Sequence, residues 1–268
     1  MKVARSTYYS ILNHKASNRE IENNILKSKI FKVYCDNRKV YGSIKITRIL
    51  RDNGYPKLSV NRVSRLMKQL GIRSITIRKF KNYRNKQNEH SELKNLVNQN
   101  FSAQKPNQIW LSDITYIHTI KHGWTYLASV LDVCTRKIVG YSYGRKMDRS
   151  LVISALTKAW QNQNYPNNVI LHSDRGSQYT SSEYIAAAER MGFRLSYSKK
   201  GCPFDNAPME SFHSVLKKEE VYLKHYSSFH EANIRLFDYI NGFYNRYRIH
   251  SAINFLSPIQ FENSLFYS

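Results

Sequence analysis

Apolar positions along this chain follow two different periods. Up to Gly71 they recur every three or four residues, and from Pro106 they come in dense, β-rich runs. Residues 18–36 (NREIENNILKSKIFKVYCD) carry Ile21, Ile25, Ile30, Val33 and Tyr34 on roughly one helical stripe. Two shorter helical patterns follow. SIKITRILRDNG has Ile44, Ile46, Ile49 and Leu50, closed by Gly54. SVNRVSRLMKQLG has Ser59 as N-cap, Val60, Val63, Leu66, Met67 and Leu70 inward, and Gly71 as the stop. Asn61, Arg62, Arg65 and Lys68 fall outside that last stripe. Helix, short turn (GYPKL) and helix with a basic outer face predict a helix-turn-helix-like unit over 1–72. Arg62 and Arg65 are then candidate DNA contacts; a helical hairpin with a solvated basic face is the plainer alternative. Residues 73–105 read as a basic linker. In it Arg78, Lys79, Lys81 and Arg84 interleave with Phe80 and Tyr83, a composition suited to tracking phosphates.

From 106 to 268 the pattern predicts a second domain. IWLSDITYIHTI, WTYLASVLDV and KIVGYSYG read as three consecutive antiparallel strands. DRSLVISALTKAWQN is an amphipathic helix, NVILHSD a short apolar strand, SSEYIAAAERMG a helix and FRLSYS a strand. DNAPMESFHSVLKKEEVY is a helix with Pro208 in its first turn, where proline is tolerated, and residues 229–249 form a final helix. The order β-β-β-α-β-α-β-α predicts a mixed sheet flanked by helices.

Charge sharpens this division. The 268 residues carry a formal net charge of +23. Residues 1–105 hold 24 Lys and Arg against 6 Asp and Glu, whereas residues 106–268 hold 18 against 13. An acidic partner, nucleic acid foremost, is implied, gripped by the first part and processed by the second. The cysteines, Cys35, Cys134 and Cys202, are far apart with no C-x-x-C, so no disulfide framework or Cys-rich zinc site is expected. There is no apolar run of membrane-spanning length, and the start MKVARSTYYSILNHK lacks the apolar core of a secretory signal. A reducing interior is the simplest setting.

Three acids in this basic chain stand in distinctive surroundings: Asp113 in IWLSDITYI, Asp174 in LHSDRGSQYT and Glu210 in CPFDNAPMESFHSVLKKE. Asp113 lies within a strand that is apolar on both faces, where an ionised carboxylate is costly unless paired or bound to metal. Asp174 ends an apolar strand, the place where open α/β sheets bind ligands. Glu210 lies on a helix whose Met209, Phe212 and Leu216 form the buried stripe, with His213, Ser214 and Lys217 near the Glu210 face. Each acid alone has a structural explanation: a hydrogen-bonded buried Asp, a turn residue, a solvated helix residue. Together they match what two-metal phosphodiester chemistry needs, carboxylates from different elements converging on one point.

With these motifs the chain resembles an Asp-Asp-Glu transposase with a ribonuclease-H-like integrase catalytic core. More narrowly, it resembles the second-frame protein of the third insertion-sequence family. The resemblance rests on WLSDITYI, YLASVLDVCTRKIVGYS, HSDRGSQYTS, KKGCPFDNAPMESFHSVLKKE and YNRYRIHSAINFLSPIQF, and on YGSIKITRIL and NRVSRLMKQLGI upstream. The 35 residues between Asp174 and Glu210 add to it. It implies an α/β fold, a ribonuclease-H-like mixed five-stranded sheet flanked by helices, preceded by a small basic all-α helix-turn-helix-like domain. It further implies cleavage and joining of DNA strands at insertion-sequence ends. A water would first free a 3′-OH, which then attacks a second phosphodiester in line. Asp113, Asp174 and Glu210 would be both catalytic residues and ligands of Mg²⁺, with Mn²⁺ able to substitute, and Lys217 would contact DNA near the site. Residues 199–204 would be a mobile active-site loop, and Gly176 and Gln178, in the turn after Asp174, would have a structural or substrate-orienting role. Expected partners are double-stranded DNA at transposon ends and target, and further copies of the chain in a dimer or multimer. A fusion to an upstream-frame DNA-binding protein is also implied.

Other residues compete for attention. Asp132, before the tight turn CTR, reads as a turn residue. His118 and His122 have zinc-like spacing but no nearby cysteine pair, and read as a hairpin. His172, two before Asp174, is a candidate to line the site. Tyr244, Tyr247, Arg248 and His250 would line a DNA groove or pack the last helix. A ribonuclease-H-like nuclease and an inactive DNA-binding relic are the alternative functions. The nuclease would cleave without joining, and a relic would be expected to lose an acid, whereas all three are present.

Overall fold

The computed structural model describes residues 15–76, 94–199 and 203–266, together with Arg5 and Tyr9. Two compact units result, Met1–Ile75 and Thr76–Ser268. The linker cations Arg78, Lys79, Lys81 and Arg84, and residues 200–202 of the 199–204 loop, lie outside the described residues.

Among the described residues of the first unit, helices α1 (Asn18–Asp36), α2 (Ser43–Asp52) and α3 (Val60–Gln69) follow one another. Ser17 opens α1 with a reciprocal cap: its hydroxyl accepts the Glu20 N–H while the Glu20 carboxylate accepts the Ser17 N–H. The buried row of α1 is Leu26, Ile30 and Tyr34. The expected stripe is therefore rotated: Ile21 and Ile25 are about half exposed. They sit one position, about 100° around the helix, from the row spaced by four. Helix α2 buries Ile46, Thr47 and Leu50, and α3 buries Val63, Leu66 and Met67. Ser59 caps α3 by accepting the Arg62 N–H, and Gly54 and Gly71 follow the two helices with positive φ.

In the second unit a five-stranded sheet has the order β3-β2-β1-β4-β5. Its strands are β1 (Ile109–Thr119), β2 (Gly123–Asp132), β3 (Ile138–Gly144), β4 (Ile170–Ser173) and β5 (Arg194–Tyr197). Strands β1, β2 and β3 pair antiparallel; β4 pairs parallel with β1 and β5 parallel with β4. This is the mixed, ribonuclease-H-like sheet expected, with β1 at its centre. Helix α4 (Arg149–Asn162) lies close on β3 because Gly140 has no side chain: a Cβ there would stand 2.4 Å from the Ala159 backbone N. Trp110, Val130, Val139, Leu156 and Tyr184 fill the core beneath α4 and α5 (Ser182–Arg190).

Helix α6 (Ala207–Glu219) packs near β1 and buries Met209, Phe212 and Leu216, the stripe read from sequence. The predicted final helix divides. Helix α7 (Phe229–Phe237) passes into a π-helical turn at Asp238–Tyr244, and a further helix, α8 (Pro258–Phe266), follows. Asn245 fixes this C-terminal segment by exchanging two hydrogen bonds with the Ile138 backbone, each 3.0 Å. Tyr244 and Arg248 are buried, which settles them as packing residues, while Tyr247 is exposed. Among the described residues no helix is long and apolar enough to cross a membrane.

Candidate active site

Strand register brings the two aspartates together. The parallel pairing of β1 and β4 runs from Ile109 with Ile170 to Ser112 with Ser173. One step further along both chains stand Asp113 and Asp174. Strand β4 stops at Ser173, so among the described residues β1 continues past Asp113 with a strand neighbour on the β2 side only, until Thr119 bridges to Tyr226. At this open edge Asp113 Oδ1 accepts the Ile114 N–H at 2.7 Å. Beside the edge lies a cavity of about 450 Å³, lined by Asp113, Tyr116, Glu210, His213, Lys217 and Lys218, among others.

Asp174 and Glu210 both sense the charge of Asp113. Burial pushes Asp174 above the ordinary carboxylate value; the Gly176 N–H, donated to Asp174 Oδ1 at 2.9 Å, opposes this, and the Asp113 charge adds to the rise. Burial also pushes Glu210 up, Asp113 raises it further, and His213 acts in the opposite direction. Asp113 is thus the electrostatic link between strand end and helix. Gly176 has a steric role as well, since a Cβ there would stand 3.1 Å from Asp174 Oδ1. Gln178 donates to the Met147 carbonyl at 3.1 Å and so ties the turn to the segment before α4. Among the described residues no three His, Cys, Asp or Glu side chains gather closely enough to hold a metal ion.

His213 was visible in the sequence only as a neighbour of Glu210. Its Nδ1 lies 3.4 Å from Asp113 Oδ2, and its buried Nε2 has no hydrogen-bond partner among the described residues. Tyr179, fully buried, contacts Ser112 Oγ at 3.1 Å and feels the charge of both aspartates, which raises its pKa beyond what burial does. The spacing of three on α6 pointed to His213; nothing local pointed to Tyr179.

Other candidates fall outside the site. Asp132 is buried and closes its turn, accepting the Thr135 N–H and hydroxyl and the Asn107 N–H. His172 is fully buried between the Ser196 and Ser198 hydroxyls, at 2.8 and 3.0 Å, and does not line the cavity. His118 and His122 flank the β1–β2 turn, where His122 accepts the Phe229 N–H and contacts Arg145. In the first unit Arg62 is held by Glu22 through two hydrogen bonds and by Asn23, whereas Arg65 and Lys68 are exposed on α3.

Comparison with known families places the chain first in a class. The HTH-like domain family matches residues 20–80, and two integrase core domain families match residues 103–203 and 210–266. Asp113 and Asp174 fall within the first core match, and Glu210 opens the second. The transposase for insertion sequence element IS904 of Lactococcus lactis subsp. lactis (strain IL1403) is 38% identical over 252 residues, 94% of this chain and 98% of that protein. The IS600 uncharacterized 31 kDa protein of Shigella sonnei is 39% identical over 259 residues, 97% and 94%. Transposase InsF for insertion sequence IS3A of Escherichia coli (strain K12) is 37% identical over 265 residues, 98% and 91%. The chain belongs to the IS3 family of insertion-sequence transposases.

Proposed function

We propose that this protein cleaves and joins DNA strands at the ends of an insertion sequence, with Asp113, Asp174 and Glu210 as its catalytic carboxylates. The observation that carries the assignment is the β1–β4 register, which sets Asp113 beside Asp174 at an open strand edge and next to the Glu210 cavity. Family membership supplies the reaction class.

The donor set suits a divalent cation. It consists of carboxylate oxygens, the ligands hard cations take. Two of the three are raised by burial and by the Asp113 charge, a repulsion that a bound cation would relieve. Asp113, Asp174 and Glu210 would hold Mg²⁺ or Mn²⁺, which when bound would offset the charge developing on the phosphodiester oxygens. The chain's own residues do the rest. Gly176 holds the Asp174 carboxylate by its N–H, and His213 Nδ1 faces Asp113 Oδ2. Lys217 and Lys218 share the cavity with Glu210 and would draw the anionic backbone in. A water first displaces the 3′ oxygen at phosphorus, leaving a 3′-OH. That hydroxyl then displaces the 3′ oxygen of a second phosphodiester, so one P–O bond forms as another breaks. No covalent link to the protein is needed. Because two ends must be joined, the working form is a dimer or larger assembly on double-stranded DNA.

The test uses end-labelled DNA carrying the insertion-sequence terminus, with Mg²⁺. Asp113→Asn, Asp174→Asn and Glu210→Gln should each abolish strand cleavage while binding persists. Measurable cleavage by Asp174→Asn would remove it from the set. Cleavage without joined product from the unaltered protein would favour a nuclease instead.

A further inference from the structure

An exposed aromatic row starts at the cavity and has no role in the chemistry above. Tyr116 lines the cavity and is 47% exposed. On the same face of the β1–β2 hairpin it meets Trp124 and Tyr126 edge to face, at centroid distances of 6.4 and 5.4 Å. Trp124 in turn contacts His118 at 5.2 Å and is itself 60% exposed. Strand pairing sets Tyr116 opposite Tyr126 and His118 opposite Trp124, so the row is built into the hairpin. Large aromatics left in water at the mouth of a site mark a binding surface.

Charge identifies the occupant. Residues 114–131 contain no Asp or Glu, and Lys121 stands exposed at the hairpin turn. Lys217 and Lys218 line the same cavity as Tyr116. Aromatic faces combined with cations suit a nucleic-acid strand whose bases are unstacked, because every base offers a π-face. A double helix offers its bases only edge-on, so the row is matched to unpaired positions.

We propose that Tyr116 and Trp124 form a stacking platform for unpaired nucleobases of the DNA strand that enters the carboxylate cavity. The inference rests on the proposed reaction, since it takes DNA as the ligand there. Trp124 also supplies the probe: Trp110 is fully buried and Trp160 partly so, leaving Trp124 as the exposed indole among the three tryptophans.

The experiment titrates the full chain with a blunt duplex and with the same duplex bearing a single-stranded tail. The tailed DNA should quench tryptophan fluorescence more than the blunt one. Trp124→Ala should weaken the tailed DNA about tenfold and leave the blunt duplex unchanged, and Trp124→Phe should restore most of the loss. Equal effects on both DNAs, or none, would overturn the platform. A Trp124→Ala protein that shifts to a smaller oligomer with unchanged tailed-DNA affinity would assign the row to a second copy of the chain, which also overturns it. If neither DNA binds the unaltered protein, the proposed reaction fails and takes the platform with it. If both bind and Trp124→Ala is silent, only the platform fails.

Discussion

Replacing Glu219 by Gln should destabilise the second unit far more than a one-atom change suggests. Glu219 ends α6, the helix that carries Glu210. Its Oε2 accepts from Arg248 Nε and from the Tyr239 hydroxyl, and its Oε1 from a terminal Arg248 nitrogen, all at 2.8 Å. Both side chains of the pair are only 7% exposed. Burial alone would lower the Arg248 pKa, but the hydrogen bonds and charge of Glu219 prevail and raise it. Glutamine keeps the shape but removes the charge, so the guanidinium stays buried without its counter-charge. Breaking such a pair costs about 3–5 kcal/mol, against a total stability of about 5–15 kcal/mol for a domain. Urea unfolding followed by tryptophan fluorescence is the assay, because Trp110, Trp124 and Trp160 all lie in the second unit. The midpoint should fall by roughly 1 M or more. Glu219→Leu with Arg248→Met should recover most of the loss, since an apolar pair of similar volume leaves no buried charge. A Glu219→Gln cost below about 1 kcal/mol, or a double variant no more stable than the single one, would refute the electrostatic account.

Burial pushes His172 down from 6.5 to about 4. The unfolded chain therefore binds a proton that the native state refuses between those values. The contribution is complete above pH 6.5 and is lost as the pH falls toward 4, by about 3 kcal/mol in all. Denaturation across pH 4–7 should show this slope, and His172→Gln should flatten it. Gly140→Ala should cost about 1–3 kcal/mol by prising α4 off β3, so an unchanged melting temperature would contradict the 2.4 Å approach. DNA affinity should fall steeply with salt. Arg65→Ala should reduce the log–log slope by about 1, and Arg62→Ala by less, because Glu22 already holds that guanidinium.

Much of the layout was legible because its causes are local. Ser59 and Gly71 bound α3, β-rich runs marked β1 to β3, and Pro208 marked the first turn of α6. The failures share a cause. In α1 both candidate rows are apolar, and only the helices packed against it choose Leu26, Ile30 and Tyr34 over Ile21 and Ile25. His172 precedes Asp174 by two, yet Ser196 and Ser198 on the next strand and just beyond it claim both its nitrogens. Arg62 looked as free as Arg65 until α1 supplied Glu22.

The sequence by itself determined the elements, the charge division and the three acids, since period, caps and composition act over a few residues. Tertiary structure decided which groups meet. It set Asp113 beside Asp174 through parallel strand register, brought Glu210 and His213 to the same cavity, and left Tyr116 uncovered in its lining with Trp124 exposed against it. Those relations join residues up to a hundred positions apart. Sheet pairing and helix packing determine them, and local propensity carries no information about either.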